Sequence, residues 1–304
     1  AAKGLFHRAI AESSPASSVY SNTRAAKVAG NLLSVLDIGV RDVAQLHDID
    51  VKQLVRATMK VYGQVPEETP GTLAFAPVID GDLVPEHPMD AFRAGRSLSV
   101  PLLIGTNKDE ASLFALLRPP LMPVKLPGIK KMFDTILAED PTAAVPTRES
   151  LSAAYAGTST KVAGLGIARD IAFRMPTIWL AEAHSRHAPV YLYRVDWATK
   201  VMKALRMGAT HATERPYVWG NPILRGKVGA AFRLDGRKTG EDVSYRMRRR
   251  WTAFAHLATP SGVEPHWPAF DEHVRSTLVI DATDSVVDDL DAAIRQAWGD
   301  ETLH

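Results

Sequence analysis

The hydrophobic pattern of the chain changes period several times, and each change marks an element. Pro189 to Trp197 (PVYLYRVDW) alternates and is rich in β-branched and aromatic residues, which predicts a strand. Pro101 to Thr106 (PLLIGT) is a continuous apolar run of strand length, suited to a strand buried on both faces. Gly4 to Ala11 is a mixed run that ends in the turn-forming Glu12-Ser13-Ser14-Pro15, and Ser276 to Asp281 (STLVID) is a further short apolar segment; both read as strands. Apolar residues spaced three and four apart predict helices over Thr23–Leu36, Val51–Val61, Pro88–Ala94, Ile129–Glu139, Arg148–Tyr155, Ile167–His187 and Gly240–Ala258. The last of these places Trp251, Phe254 and Leu257 on one stripe, and Ser285 to Trp298 reads as a closing helix. Pro66 to Pro101 and Arg206 to Asn221 are rich in turn residues and predict ordered loops, apart from the short helix at Pro88. No internal repeat is visible. Strands separated by long helical stretches indicate an α/β fold with a mostly parallel sheet covered on both faces. In such sheets, function gathers at the C-terminal ends of the strands.

Composition narrows the class. The 304 residues are 46% hydrophobic and 23% charged, with 20 Gly and 20 Pro, which excludes a collagen, a coiled coil or a disordered tail. Lys and Arg total 36 against 34 Asp and Glu, a formal charge of +2, so nothing implies nucleic acid as a partner. The absence of Cys removes disulfides, thiolate metal sites and cysteine nucleophiles together. It fits a reducing, cytoplasmic setting. No stretch approaches the roughly 18 apolar residues of a membrane helix, so no membrane span is expected. The first residues lack an initiator Met and the charged-then-apolar pattern of a signal peptide, and they read as the interior of a longer polypeptide.

Two polar clusters follow directly after predicted strands: Asn107-Lys108-Asp109-Glu110 after PLLIGT, and the loop containing His211 after PVYLYRVDW. A carboxylate first and a histidine later is the order in which an α/β-hydrolase supplies the acid and base of a catalytic triad. In that chemistry the imidazole takes a proton from a hydroxyl and returns it to the leaving group, while a buried carboxylate fixes the tautomer and stabilises the imidazolium.

The surrounding residues carry a resemblance that runs the length of the chain. Gly4-Leu-Phe-His-Arg-Ala-Ile-Ala-Glu-Ser13 is similar to a GLFxRAIxQSG segment, Phe75 to Asp82 to FxPVxDGxxxP, and Gly105 to Glu110 to GxNxDEG. Gly208 to Gly220 is similar to GxxHxxExxYxFG, and Trp267 to Asp271 to a WPxY segment. These five motifs, in this order, resemble the C-terminal part of the type B carboxylesterases, the α/β-hydrolase family that includes bacterial esterases and the cholinesterases. The resemblance implies Glu110 as the triad acid, His211 as the base, Ser13 as a hydroxyl beside the acid and Glu214 as a supporting carboxylate. It implies Leu113 and Phe114 as substrate-pocket residues, a neutral carboxylic ester as substrate, and neither metal nor organic cofactor.

The family's nucleophile sits in a Gly-Glu-Ser-Ala-Gly elbow before the GLFxRAI strand, and its oxyanion hole in an earlier Gly-rich turn. No Ser of this sequence has Gly on both sides at two residues; Ser159 and Ser97 each lack the second Gly. The chain therefore reads as a partial α/β-hydrolase domain over residues 1–304, with the N-terminal portion absent, inactive alone and a possible partner of that portion. A non-catalytic binding or scaffold member of the same fold family is the rival reading, and an unstable fragment with an unpaired sheet edge is the third. Ala111 replaces the family's Gly after the acid, where Gly would tolerate a positive φ. Several residues have plainer readings. Asp109 reads as a loop cap, and Glu214 has an alternative as an ion-pair partner of Arg215. His184 and His187 read as structural in the absence of a third ligand, and Arg246-Met-Arg-Arg-Arg250 as a solvated face.

Overall fold

The computed structural model describes residues 2–117, 121–221 and 236–299. Five strands, β1 (Ala9–Glu12), β2 (Leu102–Asn107), β3 (Val190–Val195), β4 (Thr277–Ile280) and β5 (Ser285–Val287), form one sheet in chain order. The first three pairings are parallel, and β4 with β5 is antiparallel. The helices are α1 (Asn22–Val35), α2 (Val51–Glu68), α3 (Pro88–Arg93), α4 (Leu126–Glu139), α5 (Arg148–Ala154), α6 (Thr160–Arg169) and α7 (Met175–Ser185). They continue as α8 (Lys200–Ala204), α9 (Arg215–Val218), α10 (Arg237–Leu257) and α11 (Ala292–Trp298).

The side-chain period of two in a strand separates the core into two layers. Leu102, Ile104, Val190 and Leu192 face one side, where they pack with Met175, Ile178 and Trp179 of α7. Leu103, Tyr191, Tyr193 and Val195 face the other, against Met247, Trp251 and Phe254 of α10 and Trp267. Central strands β2 and β3 are buried along their whole length, which is why they read as near-continuous apolar runs. Strand β1 lies at the sheet margin, with Ile10 exposed.

The structure corrects several expectations. Residues 4–8 are turns and bends, and pairing begins at Ala9, whose N–H donates to the carbonyl of Pro101. Helix α2 continues past the expected end at Val61 to Glu68, with Pro66 inside its last turn. The single helix expected over Ile167–His187 is α6 and α7 joined by a π-helical turn, Asp170–Arg174. Only the second half of the segment Ser285–Trp298 is helix: it opens with β5, and α11 follows. The loop Arg206–Asn221 contains the short helix α9.

The stripe on α10 is Val243, Met247, Trp251 and Phe254; Leu257 is exposed. The basic run is only partly solvated. Arg250 is fully buried, with Nη1 2.5 Å from Asp284 Oδ2, and Arg246 Nε meets the same oxygen at 2.9 Å. Residues 222–235, which follow the His211 loop, lie outside the described residues.

Candidate active site

The parallel strands end at one edge, and the polar clusters meet there. Glu110 opens a short 3₁₀ turn, Glu110–Ser112, three residues after the end of β2. That turn is right-handed at Ala111, so the position needs no glycine. His211 lies on the loop between α8 and α9.

The two loops are sewn together by hydrogen bonds. The Asp109 N–H donates to the Ala209 carbonyl (2.9 Å), and the Ala209 N–H donates to Asp109 Oδ2 (3.1 Å). The Ser112 hydroxyl donates to the Met207 carbonyl at 2.5 Å, and the Leu113 N–H to the Thr210 hydroxyl oxygen at 2.8 Å. Asp109 is thus a cross-loop tie rather than only a cap of its own turn, and burial pushes its carboxyl above the usual range. Gly208 is required beside it: its φ is +57°, and a Cβ there would meet Asp109 Oδ2 at 2.0 Å.

This stitching delivers His211 to Glu110, with Nδ1 2.7 Å from Oε2. Glu110 is completely buried, and its Oε1 accepts the Ser13 hydroxyl at 2.5 Å and the Asn107 N–H at 2.6 Å. A carboxylate with three donors is held in one orientation. Because a carboxylate accepts, Nδ1 of His211 carries the proton, and Nε2 is left as the basic nitrogen. Burial lowers the His211 pKa, but the bond to Glu110 and the charges of Glu110 and Glu214 outweigh it, and the net direction is up.

Glu214 accepts a hydrogen bond from the Asn107 side chain, so Asn107 bridges the two carboxylates, with its N–H on Glu110 and its amide on Glu214. Burial raises the Glu214 carboxyl above the usual range. Glu12, at the end of β1, is also pushed up by burial and accepts the Trp251 indole N–H at 2.7 Å. Ser13 is buried at φ +53° and Ala212, beside the histidine, lies at φ +65°. Left-handed backbone at non-glycine residues is uncommon and gathers at functional sites.

Two rings flank the imidazole. The Phe114 centroid is 5.5 Å from that of His211 and the Phe173 centroid 4.9 Å, while the two phenyl rings stack on each other at 6.0 Å. Both phenylalanines line an apolar cleft of about 180 Å³, together with Tyr20, Met122, Met132 and Ile171. Leu113, expected in that lining, is instead half-buried outside it and contributes a backbone N–H to the loop tie. Phe173 has no sequence signal, since it sits within a long apolar helical pattern. Asn107 stood in the polar cluster without a reason to separate it from its neighbours.

His184 is buried, with Nε2 2.8 Å from the Val100 carbonyl and its ring edge against Phe92. Among the described residues, no group of three or more His, Asp or Glu could hold a metal ion, and no helix is long and apolar enough to cross a membrane.

A mostly parallel sheet whose strand ends bring a buried carboxylate to a histidine defines the α/β-hydrolase class. The chain belongs to the carboxylesterase family, whose model matches residues 1–298. It is 31% identical over 297 residues to the para-nitrobenzyl esterase of Bacillus subtilis (strain 168), covering 97% of this chain and 57% of that protein. Identity with mouse carboxylesterase 1E is 29% over 302 residues, 89% of this chain and 51% of the relative. Among solved structures, a PNB esterase superposes with a TM-score of 0.79 at 28% identity, covering 98% of this chain and 59% of the other. A carboxylesterase of Geobacillus stearothermophilus gives a TM-score of 0.76 at 29% identity, with 98% and 58% covered. The chain therefore spans little more than half the length of the relatives it matches.

Proposed function

We propose that this chain supplies the acid and base of a serine carboxylesterase, Glu110 and His211, to a nucleophile carried outside these 304 residues. The observation that carries the reading is the Nδ1 to Oε2 bond of 2.7 Å between a fully buried carboxylate and a histidine whose side chain is 32% exposed. Nε2 takes the proton of an attacking hydroxyl, and the imidazolium so formed is stabilised by Glu110. The same nitrogen returns the proton to the leaving alcohol, and the cycle repeats with water on the acyl ester. Ser13 and Asn107 fix the Glu110 carboxylate, and the Phe114–Phe173 face offers an apolar surface for a neutral ester group. The para-nitrobenzyl esterase and carboxylesterase relatives support an ester as substrate.

Loss of a triad serine costs roughly 10⁶-fold in turnover in a serine protease, and a missing oxyanion donor about 10²–10³-fold where it alone is removed. The chain alone is therefore expected to leave p-nitrophenyl esters intact. Adding the serine-bearing N-terminal segment of a family member, with binding shown independently, is expected to start hydrolysis. Hydrolysis by the chain alone that is abolished by His211→Ala would show an internal nucleophile, and bound segments without hydrolysis would refute the reading.

A further inference from the structure

The π turn Asp170–Arg174 concentrates features that ordinary packing does not call for. Wide turns of this kind are rare and recur at functional sites. Phe173, within it, supplies the ring nearest His211, at 4.9 Å. Asp170 is fully buried, with Oδ1 accepting Arg169 Nε at 2.6 Å and Oδ2 accepting the Tyr155 hydroxyl.

Arg174 is 4% exposed, and its Nη1 lies 3.0 Å from Asp291 Oδ2, yet its Nε and Nη2 have no hydrogen-bond partner among the described residues. Burial pulls its guanidinium pKa down to about 10. A buried cation with unused donors lowers stability, so its retention beside Phe173 needs another physical reason.

The ion pairs continue toward the acid loop. Arg194 Nη1 reaches Asp291 Oδ2 at 2.9 Å, its Nε reaches Asp196 Oδ1 at 2.6 Å, and Asp196 Oδ2 lies 3.2 Å from Lys108 Nζ, two residues before Glu110. One network thus grips both the turn that carries Phe173 and the loop that carries Glu110.

We propose that Arg174 is a positioning residue: its pairing with Asp291 locks the π turn so that Phe173 presses on the His211 ring, holding the imidazole on Glu110 and shielding their hydrogen bond from water. The consequence for turnover rests on His211 being the base of the proposed reaction; the contact itself does not. The test therefore reads ring cover rather than activity.

In the chain labelled with ¹⁵N-histidine, the His211 Nδ1 proton, assigned by its loss in His211→Gln, is followed for exchange with water. Phe173→Leu and Arg174→Met are expected to accelerate that exchange by roughly tenfold or more, while Arg174→Lys, which keeps the cation, stays near the wild-type rate. Asp291→Asn, which keeps Arg174 but removes its charged partner, is expected to accelerate exchange as well and carries the test if Arg174→Met does not fold. A wild-type rate in folded Arg174→Met, or in Asp291→Asn, would overturn the proposal. So would Arg174→Lys exchanging as fast as Arg174→Met. Failure of the complemented protein to hydrolyse esters, with exchange behaving as expected, would refute the esterase reading and leave this one standing.

Discussion

At the scale of single residues, Glu110 sets the properties of His211. Two opposing effects act on the imidazole: burial favours the neutral ring, and the hydrogen-bonded carboxylate favours the cation. The carboxylate wins, so Glu110→Gln is expected to lower the His211 pKa below that of an ordinary histidine, because burial then acts with little opposition. An NMR titration of His211 in the two proteins reads this, and an unchanged value would mean that the contact carries no charge coupling. The sign for stability follows. A histidine raised on folding contributes stability that is fully present below its unfolded value and is lost as pH rises through the folded one. Urea midpoints should therefore fall over that window in the wild type and not in Glu110→Gln. Ser13 offers a second handle. Removing its hydroxyl leaves Glu110 one donor short in a buried site, and Ser13→Ala is expected to lose about 1.5–3 kcal/mol of stability by urea unfolding. Glu110 and His211 were legible because each followed a strand within a recognisable motif. Phe173 was not, since nothing local separates a phenylalanine that covers the His211 ring from one that fills a core.

At the scale of elements, legibility follows how local the determining interaction is. The strands β2 and β3 declare themselves because burial on both faces demands continuous apolar sequence. The three-residue β5 has no such signature: it is antiparallel, marginal, and partly exposed. The π turn is hidden for another reason, in that widening a helix by one residue shifts its apolar stripe without interrupting it. The basic run of α10 misleads most clearly. A charge run read along the chain looks solvated, whereas Asp284, arriving from 34 residues downstream, turns Arg250 into half of a buried pair. Breaking such a pair strands the remaining charge. Asp284→Ala is accordingly expected to destabilise the protein by about 3–5 kcal/mol, whereas truncating exposed Arg249 should change the urea midpoint little. Equal effects from the two would contradict the burial of that pair.

At the scale of the molecule, the sheet brings strand ends from three distant parts of the sequence to one edge. Ser13 follows β1, Glu110 follows β2, and His211 comes after β3 and the short helix α8. Fold class was readable because parallel strands need helical crossovers, and the alternation of the two periods is visible throughout. The tie between the acid and histidine loops was not readable. Each of its bonds has a backbone group of Asp109, Met207, Ala209 or Leu113 as a partner, and a backbone group carries no identity in the sequence, so the side chains of Asp109, Ser112 and Thr210 had no visible mates about 100 positions away. The three carboxylates Glu12, Glu110 and Glu214 likewise meet only through the sheet, and their mutual repulsion is part of what raises Glu214.

The measurement that tests the central claim most directly is ester turnover by this chain joined to a serine-bearing partner segment, compared across acid and base substitutions. His211→Ala is expected to lower kcat by about 10⁶-fold, and Glu110→Ala by roughly 10⁴-fold, the hierarchy of base over orienting acid measured in a serine protease. Turnover within about tenfold of the unsubstituted protein in either variant would contradict the assignment of Glu110 and His211 as acid and base.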